Sequence, residues 1–563
     1  MKITFSKSIL GLYAASLFMA ACGSTALVST PIENIDNIPL KLAPLSEDQK
    51  KDWGHLDLVA DTIPGMSVDK AYTEIIKGKK GKQVIVAVLD SGMDLDHEDL
   101  KDVLWTNTKE VPGNNKDDDK NGYVDDIHGY NFLGESYNEQ MEAARILRLK
   151  IGDAAYQAKA RETLDKDIKK AQQSKQITKQ NKEQSEQIKE IIQDADDAAK
   201  SELNKEVYTA QDLATIDTED PMLKQYVNIL TQLLASGSTI AEIKDEVNSD
   251  IERFSEGFDY YTERLEYHFN VDFDGRKVVG DNPYDINDVP YGNGDPSNRV
   301  EDEAHATHVA GIIAAERNNG IGIDGVANNV AIMSIRAVPN GDEYDKDIAL
   351  GIRYAVDNGA KVINGSFGKP FSPNAEWVYD AIKYAASKDV LFVHAAGNDA
   401  LNLDDPKNAN FPNDQINNGP EIADNVITVG AINEDYGSEM VTSFSNYGAI
   451  NVDIFAPGQD IYSTVPESKY KYFNGTSMAA PAVAGIAALI RSQYPKLTAP
   501  EVKHIIMQSG LSIKTPVVLG GDESNTGTLK EISKSGRIAN AYNALIMADQ
   551  VSHGKLKLNL DAK

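Results

Sequence analysis

The sequence predicts an α/β fold: a parallel sheet flanked by helices, interrupted by a long α-helical insertion. Three observations predict it. Short apolar runs rich in β-branched residues occur at 84–89, 330–335, 361–364, 390–393 and 426–429. Strands apolar on both faces belong to a parallel sheet covered on both sides. Helical patterns alternate with them, as over 347–358 and 375–388, and that alternation marks parallel strand–helix–strand units. Residues 138–266 differ, being rich in Lys, Gln, Glu, Asp and Ala. There Ala144, Leu147, Ile151, Ala154 and Ala158 recur at 3-4 spacing, as do Ile188, Ile191, Ala195 and Ala198. Such seams predict long paired helices, an antiparallel hairpin set into the α/β body.

The chain has 563 residues, of which 41% are hydrophobic and 25% charged, enough to bury a sizeable core. Its 56 basic and 86 acidic residues leave a net charge of −30. That charge argues against a nucleic-acid partner, since phosphate binding needs a basic surface. It suits a body outside the cytoplasm, or one that binds cations. Cys22 is the single cysteine, so no intramolecular disulfide is possible.

The N-terminus has the three-part form of an export signal. Lys2 and Lys7 precede an apolar stretch over 9–19, then Met19-Ala20-Ala21-Cys22. The apolar stretch is too short to span a bilayer, and no later stretch is long and apolar enough. A cysteine directly after small residues resembles the lipobox of bacterial lipoproteins, which implies a lipidated Cys22. The expected organisation is a signal peptide at 1–21 and a lipidated tether at 22–60. A first part of the α/β domain (61–137), the helical insertion (138–266), a second part (267–550) and a tail (551–563) follow. The expected location is exported and membrane-anchored, in the periplasm or on the surface of a bacterium.

Three segments carry the residues of an acyl-transfer site. Ala87-Val88-Leu89-Asp90-Ser91-Gly92 sets an acid at the carboxyl end of a buried strand, where open α/β sheets collect their sites. The segment from His305 to Gly311 leads into an Ala-rich helix. Asn474-Gly475-Thr476-Ser477 leads into Met478-Ala479-Ala480-Pro481. A serine at a helix start has free backbone N–H groups beside it, suited to an oxyanion. Taken singly, these are a turn acid, a structural histidine and an N-cap. The order Asp, His, Ser also opposes an α/β-hydrolase esterase, whose order is Ser, Asp, His.

Together the segments resemble the subtilisin-like serine proteases. Gly475-Thr476-Ser477-Met478-Ala479-Ala480-Pro481 matches the family's nucleophile motif. The His305 segment resembles its histidine motif, with Ala306 where Gly is usual. Asp90-Ser91-Gly92 and His97-Glu98-Asp99-Leu100 resemble its aspartate region. The resemblance covers about 60–135 and 280–545. It implies the subtilisin-like fold, with the insertion between the Asp and His segments, and a serine endopeptidase acting on polypeptides, with Asp90, His305 and Ser477 as the triad. It implies Asn398, within Ala395-Ala396-Gly397-Asn398, as an oxyanion donor. It implies that Ser366, Phe367 and Gly368 pair with an extended substrate. A folding-assisting propeptide is also usual, and the stretch from Cys22 to about 60 is short for one.

Asp117, Asp119, Asn121, Tyr123 and Asp126 lie in a loop with oxygen ligands at alternate positions and Gly122 at the sixth, as in an EF-hand. His128 stands where the closing Glu would be, so the EF-hand is incomplete. The expected occupant is a structural Ca²⁺, with a second candidate in the acidic stretch 281–288. A different class of function, a non-catalytic scaffold presenting the insertion to a partner, is opposed by the intact triad. The insertion leaves and returns near one rim of the expected site, so it is expected to screen the cleft from folded proteins.

Overall fold

The structure is a computed structural model that describes residues 44–235 and 237–560. The expected signal segment and Cys22 lie outside them. The apolar runs form strands β1 (Val84–Asp90), β3 (Val330–Arg336), β4 (Val362–Gly365), β5 (Leu391–Ala395) and β6 (Val426–Ile432), joined by β2 (Gly129–Asn131) and β7 (Ile454–Pro457). They make one seven-stranded sheet in the order β2-β3-β1-β4-β5-β6-β7, with every pairing parallel. The chain crosses from β1 to β3 on one side and to β4 on the other. The carboxyl end of β1 is therefore a topological switch point, where crevices form in open α/β sheets, and Asp90 is its last residue.

Helices cover both faces. The helices used below, in chain order, are α1 (Glu142–Leu149), then α2 (Ala154–Leu203), α3 (Pro221–Leu234) and α4 (Ile240–Glu263) of the insertion, then α5 (His305–Ala314), α6 (Asp345–Asp357), α7 (Ala375–Ser387), α8 (Thr476–Gln493) and α9 (Ala499–Ser509) of the body. Val84, Val86 and Val88 of β1 join a core with Ala310 and Ile313 of α5 and Val483 and Ile486 of α8. Ala87 and Leu89 join a second core with Ile348 and Ile352 of α6 and Ile382 of α7. The unbroken apolar runs thus have a physical cause: side chains alternate across a strand, and both faces are dry. A hairpin of β8 (Ile461–Val465) and β9 (Lys469–Phe473) lies outside the sheet.

The insertion is a hairpin with additions. α2 has 50 residues, about 75 Å at 1.5 Å per residue. α4 runs antiparallel to it, because Lys244 Nζ meets Asp196 Oδ2 at 2.5 Å while Gly257 lies against Thr178. α3 closes the far end, packing Leu230 with Ile192, Ala195 and Ala199.

Two expected seams shift. The first does not run through one helix: Lys150 takes a left-handed conformation (φ 56°) that ends α1, and Asp153 caps α2. Ala154 and Ala158 are then exposed, while Ala160 and Leu164 are buried. In the second, Ile188 and Ile191 are exposed, and the buried stripe is Ile192, Ala195 and Ala199. The apolar residues offer two overlapping 3-4 ladders, and contact with α3 and α4 selects the other one.

The expected tether over 22–60 ends sooner. Trp53 is 2% exposed, and its indole N–H donates to the Gln459 carbonyl at 3.1 Å. Trp53, Leu58 and Ile63 pack with Ile432 and Phe455 of the body. Burial of an indole is worth far more than chain freedom at one residue, so the chain is held from about residue 45 onward. No helix of the described residues is long and apolar enough to cross a membrane.

Candidate active site

Asp90 ends β1 with 1% exposure. Its carbonyl accepts from the Ala337 and Val338 N–H groups at 2.8 and 3.0 Å, which pins it to the chain leaving β3. Oδ1 accepts from the Ser91 N–H at 2.7 Å and meets His305 Nδ1 at 2.7 Å. His305 opens α5, and the next residue's N–H donates to Ser91 Oγ at 3.1 Å. The methyl of Ala306 is fully buried in the core below the site, so the departure from Gly is accommodated. Desolvation pushes the His305 imidazole down, but the adjacent Asp90 carboxylate outweighs it by charge and hydrogen bond, and the net shift is upward.

Ser477 is the second residue of α8. Gly475 precedes the helix at φ 153°, and a Cβ there would lie 3.3 Å from Asn398 Nδ2. Asn398 is oriented by Thr476, whose N–H and Oγ1 meet its Oδ1 at 2.8 and 3.0 Å. Thr476 Oγ1 in turn accepts from the Gly397 N–H at 2.9 Å. With its oxygen engaged, the amide presents Nδ2 toward the start of α8. Motif matching assigned no role to Thr476, which acts only through this fold contact.

Pro481 lies inside α8, four residues after Ser477. It has no N–H to offer the Ser477 carbonyl. That carbonyl instead accepts from Ser366 Oγ at 2.9 Å, while Ser477 Oγ donates to the Ser366 carbonyl at 3.4 Å. The proline of the serine motif is thus what joins α8 to the chain leaving β4. Asn364 donates to Ser366 Oγ at 2.9 Å. Buried His394 meets the Phe367 carbonyl at 2.7 Å, and burial pushes its imidazole down to about 4, so it donates there as a neutral ring. Residues 364–368 are therefore held from both sides, and His394 is a contributor that sequence reading missed.

A cavity of about 260 Å³ opens beside His305, walled by 338–343 and by Ser366, Phe367 and Gly368. Glu303, at its base, accepts from the Gly92 N–H at 2.8 Å and from fully buried Arg336 at 2.7 Å. That pair ties the loop before α5 to the end of β3. Nothing in local sequence marks it, because its partners are 33 residues apart.

The acidic loop is compact. Asp117, Asp119 and Glu110 bring one carboxylate oxygen each within 4.8 Å of one another. Glu110 Oε1 accepts from the Asp118 and Asp119 N–H groups, at 2.8 and 3.0 Å. Glu110 Oε2 is buried without a hydrogen-bond partner. Asp126 accepts from Asn107, Asn121 and Tyr354, as Asp117 accepts from the Asn121 and Gly122 N–H groups and Asp119 from Asn107 and the Asn121 N–H. The Tyr123 ring packs against Tyr130 and Tyr354, and Asn121 Oδ1 accepts from the Tyr123 N–H. Glu110, which lies outside the EF-hand pattern, thus joins the expected Asp117 and Asp119 in an acidic cluster that could hold a cation, with Asn121, Tyr123 and Asp126 beside it. In the second stretch Asp281 is paired with Arg276 and Lys346 at 2.7 Å each, so protein cations fill that place.

The arrangement supplies a buried acid, an imidazole and a serine at a helix start beside a free amide donor. The model of the subtilase family matches residues 81–534. A thermophilic serine proteinase of Bacillus sp. (strain AK1) is 40% identical over 275 residues, 49% of this chain and 58% of that protein. A cell wall-associated protease of Bacillus subtilis (strain 168) is 38% identical over 272 residues, 47% of this chain and 28% of that protein. Thermitase of Thermoactinomyces vulgaris is 38% identical over 218 residues, 38% of this chain and 68% of that protein. The chain thus spans well under two thirds of the first two relatives. On the match over 81–534, and on the likeness to thermitase, the chain belongs to the subtilase family.

Proposed function

We propose that the protein is a serine endopeptidase that cleaves polypeptides through an acyl-enzyme on Ser477. The observation that carries this is the 2.7 Å contact of His305 Nδ1 with buried Asp90, beside a serine at the start of α8. In this reading Ser477 Oγ turns from the Ser366 carbonyl, attacks the scissile carbonyl and passes its proton to His305 Nε2. Asp90 keeps the Nδ1–H tautomer and stabilises the imidazolium. The Asn398 amide and the Ser477 N–H hold the oxyanion. His305 then protonates the leaving amine, and water, deprotonated by the same imidazole, releases the acid. An extended substrate lies between 340–343 and 366–368 as an added strand.

Two finer readings accompany it. Glu110, Asp117 and Asp119 bind a structural Ca²⁺, whose chemistry is to neutralise three carboxylates and hold the loop 110–126. Cys22 carries the lipid that anchors an exported protein to a membrane, the reading supported by Met19-Ala20-Ala21-Cys22 alone.

Ser477→Ala is expected to abolish caseinolysis and fluorophosphonate labelling in a protein with unchanged circular dichroism; undiminished hydrolysis removes the triad assignment. Asn398→Ala is expected to lower kcat on the order of 10²–10³-fold, a loss measured on a subtilisin for the same kind of donor, with little change in KM. A pure KM effect counts against the oxyanion role.

The base must be neutral, and Asp90 raises the pKa of His305. Activity is therefore expected to fall as pH drops through a value above that of free imidazole, read as the acid limb of kcat/KM. Asp90→Asn removes the cause, so its residual activity should show that limb moved to lower pH. An unmoved limb means another group is being titrated.

Chelation is expected to lower the melting temperature, because a ligand of the folded state stabilises it by mass action. Glu110→Gln should abolish that response; an identical shift in the variant places the cation elsewhere. Cys22→Ser is expected to move the protein from the detergent to the aqueous phase on partition, and identical partition of both forms removes the anchor.

A further inference from the structure

We propose that Glu142, Arg145 and Lys369 are positioning residues for extended substrates. Through them the root of the helical insertion becomes part of the peptide-binding cleft. The proposal rests on the endopeptidase reading above and adds to it which part of the insertion serves the reaction.

The two walls of the cavity beside His305 are 338–343 and 366–368. Neither belongs to a long element, and each needs something to hold it. Arg145, in α1, spreads its guanidinium across the first wall: Nη1 donates to the Asp342 carbonyl at 2.7 Å and Nη2 to the Glu343 carbonyl at 3.0 Å. Glu142, the first residue of α1, donates its N–H to Asp342 Oδ2 at 2.7 Å. Lys369 directly follows the second wall, and its Nζ reaches across to the Glu343 carbonyl at 2.7 Å.

One oxygen joins the two cations. Glu142 Oε2 accepts from Arg145 at 2.5 Å and from Lys369 at 2.9 Å, while Oε1 accepts from Tyr284 at 3.0 Å. Lys369 also meets Asp345 at 2.9 Å. Arg145, Glu142 and Lys369 are 0%, 1% and 2% exposed. Burial pushes the Glu142 carboxyl up, but the two cations outweigh it and hold it at about 2. It therefore stays charged wherever the enzyme works.

A buried ion network is a poor route to stability, since apolar packing does as well, but its directed bonds fix geometry. Here the fixed geometry is the separation of the two backbone segments that an extended peptide must join. A substrate that spans both walls draws on that separation. A substrate occupying only the residue before the scissile bond does not. Binding energy from remote residues is realised in the transition state, so the loss falls on kcat/KM for long substrates.

The test compares a tetrapeptide p-nitroanilide with an N-acetyl amino-acid ester of the same final residue, together with the rate of fluorophosphonate labelling. The full-length chain is used as Glu142→Gln, and as Glu142→Gln/Lys369→Met, which removes one charge of each sign and so keeps the interior balanced if the single variant fails to fold. We expect kcat/KM on the tetrapeptide to fall about 10–100-fold in either variant, with ester hydrolysis and labelling within about twofold of wild type. An equal fall on both substrates, or none on the tetrapeptide, overturns the proposal. Wild-type protein that labels but cleaves neither peptide nor casein defeats the endopeptidase reading instead. Thr178 and Gly257 are neighbours across the hairpin, a Cβ on Gly257 lying 3.1 Å from Thr178 Cγ2. Joining 178 to 257 by a short Gly/Ser linker removes the far end and leaves the root. This form is expected to keep the wild-type ratio between the two substrates, and loss of that ratio moves the effect from root to tip and overturns the assignment to Glu142 and Arg145.

Discussion

Asp90 and His305 meet at 2.7 Å although 215 positions separate them in the chain. A carboxylate that is 1% exposed is costly to ionise unless a cation or a set of donors faces it. Asp90 obtains donors from β1 ending where it does: the Ser91 N–H and the imidazole share Oδ1, and β3 holds the backbone of Asp90 by two hydrogen bonds. The sheet order places β1 between β3 and β4, so chain segments from both sides converge on this one strand end. Shifting β1 by a residue would turn Asp90 from the crevice into a core and break the convergence.

Around that contact the structure uses backbone atoms as handles. Pro481 frees the Ser477 carbonyl, and Ser366 takes it. His394 holds the Phe367 carbonyl, and Arg145 and Lys369 hold those of Asp342 and Glu343. In each case a side chain from a distant element stabilises a segment too short to hold itself. In the proposed endopeptidase reading such segments flank the cleft because a peptide added as a strand needs unpaired backbone beside it. The hairpin enters this scheme at its root, while its far end carries a separate small core around Ile192 and Leu230.

The buried Glu142, Arg145, Lys369, Glu303 and Arg336 are paired with one another as ions. Glu110 has no such cation beside it among the described residues, and its Oε2 lacks a partner, as do Asp90 Oδ2, Glu139 Oε2 and Asp414 Oδ2. The stretch 110–119 is proposed to bind a cation because three carboxylates converge there, and 281–288 is not, because Arg276 and Lys346 already pair with Asp281.

The α/β class, its strands and the proposed triad were legible from the sequence by itself. Runs such as 84–89 are apolar on both faces, and the residues around Ser477 and His305 are contiguous, so local pattern was enough. The hairpin was legible as helix but not in its facing. Ile188, Ile191 and Ile192 satisfy two 3-4 ladders equally, and only contact with α3 and α4 chooses between them. The packing of Trp53, the pairing of Glu303 with Arg336, the part of Glu110 in the acidic loop and the network at Glu142 were decided by tertiary structure alone. Each joins residues that are unremarkable in their own neighbourhoods. Buried charge and buried aromatic surface gain their energy from partners brought from elsewhere in the chain, and sequence spacing carries no record of which partner arrives.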